Sequence, residues 1–231
     1  NNLDFIKPKT RRNEVISFVE SGLKDLSISR TSFNWGIKVK GSKNHIMYVW
    51  VDALVNYLTS LNYPDLEKEK LLYWKNCYHI IGKDILKFHA VYWPAMLMAA
   101  DLPLPKTIFA HGWWTNEGKK ISKSLGNTID PYDIINKYGL DQFRFFLLRE
   151  VSLGNDGDFS ETAFKNRINS DLSNNLGNLI QRTLKFLKKN FDGKIPVDLD
   201  LSDQNSFPLK DLYKLKNSVG MYMNNFEISK A

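Results

Sequence analysis

The feature that most constrains the fold is an alternation of short apolar runs with helical patterns in the first half of the chain. The apolar runs are rich in β-branched and aromatic residues, which favour strands, and the intervening segments carry apolar residues at helical spacing. The predicted strands are 45–51, 78–81 and 107–110, and the predicted helices are about 53–62 and 84–100, the latter opened by Asp84 as N-cap and bent by Pro94. This order predicts an α/β fold with a doubly wound parallel sheet.

The second half has a different pattern. From 111 to 160 the sequence predicts loop, a turn at Asp130-Pro131, a phenylalanine-rich helix around 143–148 and a glycine loop at 154–157. From Ser160 onward it predicts long helices, interrupted by a connection over 193–208. The chain is therefore expected to join an α/β part to a helical part.

Composition excludes several classes of protein. The single Cys77 leaves no disulfide framework and, with four scattered histidines, no obvious zinc cluster. No run of about 18 apolar residues is present and the N-terminus is polar, so we expect neither a membrane span nor a signal peptide. The net charge of +7 favours polyanionic partners such as nucleic acid. Together these features predict a cytoplasmic protein.

A small-molecule pocket is predicted where the strands end, because open parallel sheets bind ligands beyond the carboxyl ends of their strands. Trp50 lies near the end of the first predicted strand, and Ala53 and Tyr57 share one face of the following helix. Ile85 and His89 share a face of the next helix. An apolar slot with one imidazole suits a small, uncharged, extended side chain. Each of these residues alone is more often ordinary core.

Two further groups predict phosphate and nucleoside contacts. Gly82-Lys83-Asp84 combines a glycine, a helix N-terminus and a carboxylate that can accept bonds from ribose hydroxyls, although an ordinary N-cap explains the triplet as well. The third strand ends at His111-Gly112, just before "GKKISKS" at 118–124. A mobile loop with two lysines can neutralise a triphosphate while phosphorus is attacked; most such loops only solvate.

The residues Lys120-Ile121-Ser122-Lys123-Ser124 resemble the Lys-Met-Ser-Lys-Ser signature loop of the class I aminoacyl-tRNA synthetases, with Ile in place of Met. Together with "YVWVDALVNYL", "IIGKDILKFHAVYWPAML" and "HGWWT", the likeness is to the methionyl-tRNA synthetases and covers nearly the whole chain. That resemblance implies the second half of a Rossmann-type nucleotide-binding fold, a linking subdomain that carries the signature loop, and an incomplete α-helical anticodon-binding bundle. The implied bounds are 1–111, which includes the end of a connective insertion, 112–160, and 161–231.

The resemblance also implies roles for individual residues. The catalytic pair would be Lys120 and Lys123. The implied binding sites are Trp50, Ala53, Leu54, Tyr57, Ile85 and His89 for methionine, and Gly82, Asp84, His111, Gly112, Lys120, Ser122 and Lys123 for ATP. The implied cofactors are ATP and the Mg²⁺ that accompanies it, with no zinc site in this segment. The implied partners are methionine, ATP and tRNA(Met), including initiator tRNA, with no membrane and no evident obligate protein partner.

A predicted helix over about 161–191 has two faces. Apolar residues recur at three- and four-residue steps and predict one stripe that faces the core: Leu172, Leu176, Leu179, Ile180, Leu184, Leu187 and Phe191. The opposite face carries Asn174, Asn178, Arg182, Lys185 and Lys189, which a solvated surface explains as well as RNA binding does. Asn178 and Arg182, in "NLIQR", match the positions that contact the anticodon in the family.

One departure from the family limits these implications. The second signature, His-Ile-Gly-His, is absent, and His79-Ile80-Ile81-Gly82 only approximates it. The chain therefore resembles a fragment without the first half of the nucleotide fold, and we expect it to be inactive alone. A non-catalytic tRNA-binding relative and another class I synthetase of the same subclass remain as alternatives.

Overall fold

The computed structural model describes residues 2–65, 67–195 and 209–231. The chain divides into two compact units, Asn1–His111 and Gly112–Ala231. The predicted division into three parts, with a boundary near residue 160, stays a prediction.

The first unit contains a three-stranded parallel sheet. Its strands are β1 (Ile6–Lys7), β4 (Tyr78–Gly82) and β5 (Thr107–His111), in the order β1-β5-β4. The predicted strands at 78–81 and 107–110 are confirmed. In β5 the residues Thr107–Ala110 are buried, whereas β4 alternates between exposed and buried side chains, as a strand with one covered face does.

The prediction for 45–51 is wrong in length and in partner. Only β3 (Ile46–Met47) is a strand, and it pairs antiparallel with β2 (Ser29–Arg30) rather than joining the parallel sheet. Helix α2 (Val49–Thr59) begins earlier than expected, and it buries Leu54 and Leu58 on one face. The four-residue spacing of these leucines outweighs the strand preference of the residues before them, because core packing overrides local propensity.

Several helices complete the first unit. They are α1 (Lys9–Glu20), α3 (Lys68–Lys75) and the segment predicted at 84–100, which comprises a 3₁₀ turn (Lys83–Ile85), a π-helical turn (Phe88–Tyr92) and α4 (Trp93–Ala99). Asp84 lies inside the 3₁₀ turn, which has no side-chain cap, so the predicted N-cap is wrong. Pro94 lies in the first turn of α4, where it lacks the N–H of a regular helical bond.

Two hydrophobic cores meet at this helical segment. Leu86, Ala90 and Val91 pack into the core of the parallel sheet with residues of α1, β1, β4 and β5. Trp93 and Leu97 pack instead into the core formed with α2 and α3. The segment from Leu86 to Leu97 is therefore held on two sides.

The second unit begins with a small sheet that the sequence did not predict. Its strands are β6 (Trp114–Asn116), β7 (Lys119–Lys120) and β8 (Gly157–Phe159); β6 pairs antiparallel with β7 and parallel with β8. Strands of two or three residues are too short to show a period of two, so this region was expected to be loop. Gly112 precedes the sheet, and a Cβ there would lie 2.2 Å from the Asn155 carbonyl oxygen.

Most of the remaining described elements of the second unit are helices. They are α5 (Pro131–Tyr138), α6 (Leu140–Arg149), α7 (Glu161–Arg167), a π-helical segment (Ile168–Gly177), α8 (Asn178–Phe191) and α9 (Leu209–Asn224). The Asp130-Pro131 turn is a helix start, because Asp130 Oδ1 accepts from the Tyr132 amide at 2.8 Å. Phe146, Phe159 and Phe164 form the core.

The helical prediction over 161–191 is confirmed, but the burial of its apolar stripe is not. Leu176, Leu179, Ile180 and Leu184 are each at least half exposed among the described residues. Most of the predicted connection over 193–208 lies outside the described residues. Hydrophobic spacing shows which face of a helix is apolar. It does not show which residues pack against that face.

Candidate active site

Aromatic rings from α2 and the π-helical turn form a cluster in the first unit. Trp50 stacks on Phe88 with ring centroids 4.1 Å apart and an interplanar angle of 11°. His89 meets Trp50 edge to face at 5.9 Å. Tyr57 meets the same imidazole at 5.7 Å. The cluster brings together Trp50, Tyr57 and His89, three of the residues predicted to bind a ligand side chain.

Hydrogen bonds fix the proton on His89. Its Nδ1 lies 3.0 Å from the Ile85 carbonyl oxygen, and its Nε2 lies 2.9 Å from the Tyr57 hydroxyl. A carbonyl oxygen can only accept, so Nδ1 carries the proton and Nε2 accepts from Tyr57. Burial lowers the pKa of His89, partly offset by the bond to Ile85, which keeps the imidazole neutral near pH 7.

Sequence reasoning missed a second imidazole in this cluster. His79 is 3% exposed and packs against Tyr57 with centroids 4.3 Å apart. The Trp93 indole N–H donates to His79 Nε2 at 3.3 Å. Burial, followed by the neighbouring His89, lowers the pKa of His79 to about 4. Its place between two apolar positions of β4 was the only signal, and that signal is common to ordinary core residues.

The remaining predicted methionine residues have different surroundings. Leu54 is 1% exposed within the core that contains Trp93, whereas Ala53 is exposed. An open cavity of about 960 Å³ lies nearby, with Arg30 over the Tyr48 ring at 3.8 Å. Its lining includes Phe33, Trp35, Ile37, Tyr48, Val49 and Asp52, and none of the predicted methionine residues.

The ends of β4 and β5 bring together three residues of the predicted nucleotide site. Gly82 and His111 are register partners across the two strands. A Cβ at Gly82 would lie 2.5 Å from Asp84 Oδ1 and 4.0 Å from His111 Cε1. The bare glycine backbone therefore lies against both a carboxylate and an imidazole at the carboxyl edge of the sheet, where such sheets bind ligands.

The lysine loop lies in the second unit and is exposed. Lys120 ends β7 opposite Thr115, and its Nζ lies 5.6 Å from the centre of the Trp113 ring. Lys123 begins a 3₁₀ turn (Lys123–Leu125). The hydroxyls of Ser122 and Ser124 are 2.7 Å apart. The loop thus presents cations and hydroxyls to solvent, as a phosphate-binding segment does.

Asn127, which sequence reasoning did not select, braces this loop. Its Oδ1 accepts from the Ser122 amide at 2.9 Å, and its Nδ2 donates to the Lys120 carbonyl at 3.0 Å. Asn116 Nδ2 in turn donates to the Asn127 carbonyl at 2.9 Å. The sequence contains no signal for these partners, because they are backbone groups that the folded loop brings near Asn127.

The other predicted residues of the second unit lie apart from the loop in sequence. Gly112 packs on the backbone of Asn155 and Asp156, which by itself explains the glycine. On α8, Arg182 is exposed, and the half-buried Asn178 donates from Nδ2 to the Asn174 carbonyl at 2.8 Å.

No group of three or more His, Cys, Asp or Glu side chains suited to a metal occurs in the described part of the chain. None of the described helices is long and apolar enough to cross a membrane.

A parallel α/β sheet with ligand-type residues at its strand ends, and a loop with two exposed lysines, are the parts of a class I aminoacyl-tRNA synthetase. The family model described as tRNA synthetases class I (M) matches residues 2–184, and the chain belongs to that family.

Similar proteins agree with this assignment. The methionine–tRNA ligase of Rickettsia felis is 63% identical over 196 residues, which are 85% of this chain and 38% of the relative. That of Brucella suis is 61% identical over the same shares. The structure of Mycobacterium tuberculosis methionyl-tRNA synthetase in complex with methionyl-adenylate matches with a TM-score of 0.87 and 52% identity, over 99% of this chain and 45% of that chain. The chain thus spans about two fifths of the length of its curated relatives.

Proposed function

We propose that the full-length protein that carries this chain is a cytoplasmic methionine–tRNA ligase. The methionine carboxylate attacks the α-phosphorus of ATP, pyrophosphate leaves, and methionyl-adenylate forms. A hydroxyl of the terminal adenosine of tRNA(Met), initiator tRNA included, then attacks the carbonyl carbon and AMP leaves. The observation that carries the proposal is the Trp50, Tyr57 and His89 cluster in a chain of this family.

The cluster suits a thioether side chain. Sulfur is polarizable and makes favourable contacts with aromatic rings, which Trp50 and Tyr57 supply. The neutral His89 holds the Tyr57 hydroxyl in one direction without placing a charge beside the uncharged thioether side chain. Ile85 and Ala53 complete the proposed methionine site, and Leu54 supports it from the core.

The proposed ATP-binding residues fall into two groups. Gly82, Asp84, His111 and Gly112 contact the adenosine, and Ser122 with the two lysines holds the phosphates. Lys120 and Lys123 stabilise the charge that develops on the departing pyrophosphate. Mg²⁺ enters with ATP, because a nucleotide-bound Mg²⁺ keeps phosphate and water ligands and needs no dedicated protein cage.

The second unit serves tRNA in this proposal. Residues 112–160 form a linking subdomain that carries the signature loop and contacts the acceptor stem, and 161–231 form part of an anticodon-binding bundle. Asn178 and Arg182 on α8 read the anticodon. The exposure of Arg182 on α8 supports this role, because splayed RNA bases are bonded or stacked by amide and guanidinium groups.

Methionine-dependent ATP–pyrophosphate exchange in the full-length protein tests the function. Wild type should exchange, and Lys123→Ala should lose about 2 to 4 kcal/mol of transition-state stabilisation, with little change in methionine binding. Lys119→Ala, which removes the exposed neighbouring lysine, is the matched control and should keep the rate. Absence of exchange in wild type would favour the non-catalytic relative.

Side-chain selectivity is tested in the same assay. Trp50→Ala should raise the KM for methionine and leave that for ATP nearly unchanged, because it removes the stacked face beside His89. Trp35→Ala, at a residue that is 89% exposed in the same unit, should change neither constant. A parallel rise in both constants for Trp50→Ala would indicate general collapse of the unit.

A further inference from the structure

We infer that Asn127 is a positioning residue for the lysine loop, which it holds in the conformation that presents Lys123 to the phosphates. The inference rests on the proposed function and extends it to a residue that contacts the loop instead of the substrate. Its basis is a pair of hydrogen bonds from one side chain to the backbone on both sides of Ile121.

Both polar atoms of the Asn127 side chain form hydrogen bonds to the loop backbone. Oδ1 accepts from the backbone N–H of Ser122, and Nδ2 donates to the backbone carbonyl of Lys120. Ser122 is the residue before the 3₁₀ turn that Lys123 begins. Asn127 therefore fixes the backbone direction with which the loop enters that turn. The position of the Lys123 backbone, and so of its side chain, depends on this direction.

Asn127 is itself connected to the small sheet by a hydrogen bond. Asn116, the last residue of β6, donates from Nδ2 to the Asn127 carbonyl. The hairpin between β6 and β7 is held in turn by Asp158 of β8, whose Oδ1 accepts from the Gly118 amide at 2.8 Å. The loop is thus connected to β6 through Asn127 and to β8 through the hairpin.

Few side chains can replace this amide. Aspartate keeps the acceptor for Ser122 but places an acceptor opposite the Lys120 carbonyl, and leucine has the shape without either bond. Asn127→Asp therefore removes one of the two bonds and Asn127→Ala removes both. A merely structural asparagine would affect folding and leave the chemistry of Lys123 independent of it.

The test is a double-mutant cycle in the full-length enzyme, with pyrophosphate exchange as the readout. Asn127→Ala should lower kcat at least tenfold, with the KM for methionine within twofold of wild type. In the Lys123→Ala background it should lower kcat less than twofold further, because residues that act through one group are not additive. Asn190→Ala removes a comparable side-chain bond to a carbonyl on α8 and should leave the exchange unchanged.

Trypsin digestion without substrates gives a readout that needs no activity. Cleavage after Lys120 and Lys123 should accelerate at least fivefold in Asn127→Ala, because the brace no longer restrains the loop. If Asn127→Ala does not fold, Asn127→Asp replaces it in both assays, with the same directions expected.

The inference is overturned if kcat is unchanged, if the two losses multiply in the double variant, or if the trypsin rate is unchanged. A wild type without methionine-dependent exchange would overturn the proposed function alone, since the trypsin comparison would still decide whether Asn127 restrains the loop.

Discussion

His79 and His89 are buried with their rings 5.8 Å apart, and both have a lowered pKa. At the scale of single residues, this makes the first unit sensitive to acid. A buried imidazole with a depressed pKa stays neutral in the folded state while the unfolded chain binds a proton. Folding stability must therefore rise with pH between the folded pKa, about 4 for His79, and the unfolded value.

We predict that His79→Gln reduces this pH dependence. Glutamine keeps an acceptor for the Trp93 indole N–H but does not titrate. Between pH 7 and pH 5 the wild type should lose about 2 kcal/mol of unfolding free energy through His79, and the variant should lose correspondingly less. Urea titrations at the two pH values measure this. Equal slopes for the wild type and the variant would contradict the prediction.

The sequence predicted part of the residue-scale site. Ala53 with Tyr57, and Ile85 with His89, were selected because residues four apart share a helix face. Trp50 was selected as the end of a predicted strand, and that placement is wrong because Trp50 lies in helix α2. His79 and Asn127 were missed because their partners are backbone and side chains that only the folded chain brings near. Spacing along the chain contains no signal for such contacts.

At the scale of elements, the prediction succeeded where burial and local preference agree. Strand β5 is buried over Thr107–Ala110 and β4 buries one of its faces, and both strands were predicted from their apolar runs. β1 was missed because it is only two residues long, and the small sheet of the second unit was missed for the same reason. The first turn of α2 was assigned to the strand predicted at 45–51 because its residues are β-branched and aromatic, whereas the rest of α2 lies in the helix predicted at about 53–62.

Helix α8 carries the prediction that belongs to this scale. Arg182→Ala in the full-length enzyme should leave methionine activation intact and lower aminoacylation by about 1 to 3 kcal/mol in kcat/KM. The loss should be larger for tRNA with the methionine anticodon than for an anticodon-altered tRNA. Lys189→Ala, on the same face, is the matched control and should reduce both equally. If Arg182→Ala does not lower aminoacylation, the polar face of α8 is an ordinary solvated surface.

At the scale of the whole molecule, the chain exposes apolar surface in both units. In the first, Ile80 of β4 is 58% exposed, and in the second, Leu179 and Leu184 of α8 are 62% and 60% exposed. Contiguous exposed apolar patches are typical of surfaces that bind another polypeptide or a ligand. The protein family could be predicted from the sequence, because its motifs are short and local. The segment that packs on these exposed apolar residues could not be predicted.

We predict that purified residues 1–231 do not catalyse methionine-dependent pyrophosphate exchange, whereas the full-length protein does. The chain corresponds to 45% of the solved synthetase it matches, and β4 lies at the edge of the described three-stranded sheet, a position where a further strand can pair. The control is a mixture of residues 1–231 with wild-type full-length protein, whose exchange should persist if the preparation contains no inhibitor. Exchange by residues 1–231 alone would mean that the activating residues all lie within this chain.

The π-helical turn over Phe88–Tyr92 makes the number of residues in this segment as important as their identity. A π turn contains about one residue more than an α-helical turn, and one residue of an α-helix corresponds to a rotation of about 100°. Deletion of a single residue here would let the helix become regular, but it would rotate Phe88 and His89 away from Trp50 and Tyr57. Related chains that keep this aromatic cluster should therefore accept substitutions between Leu86 and Trp93 more readily than a change in length.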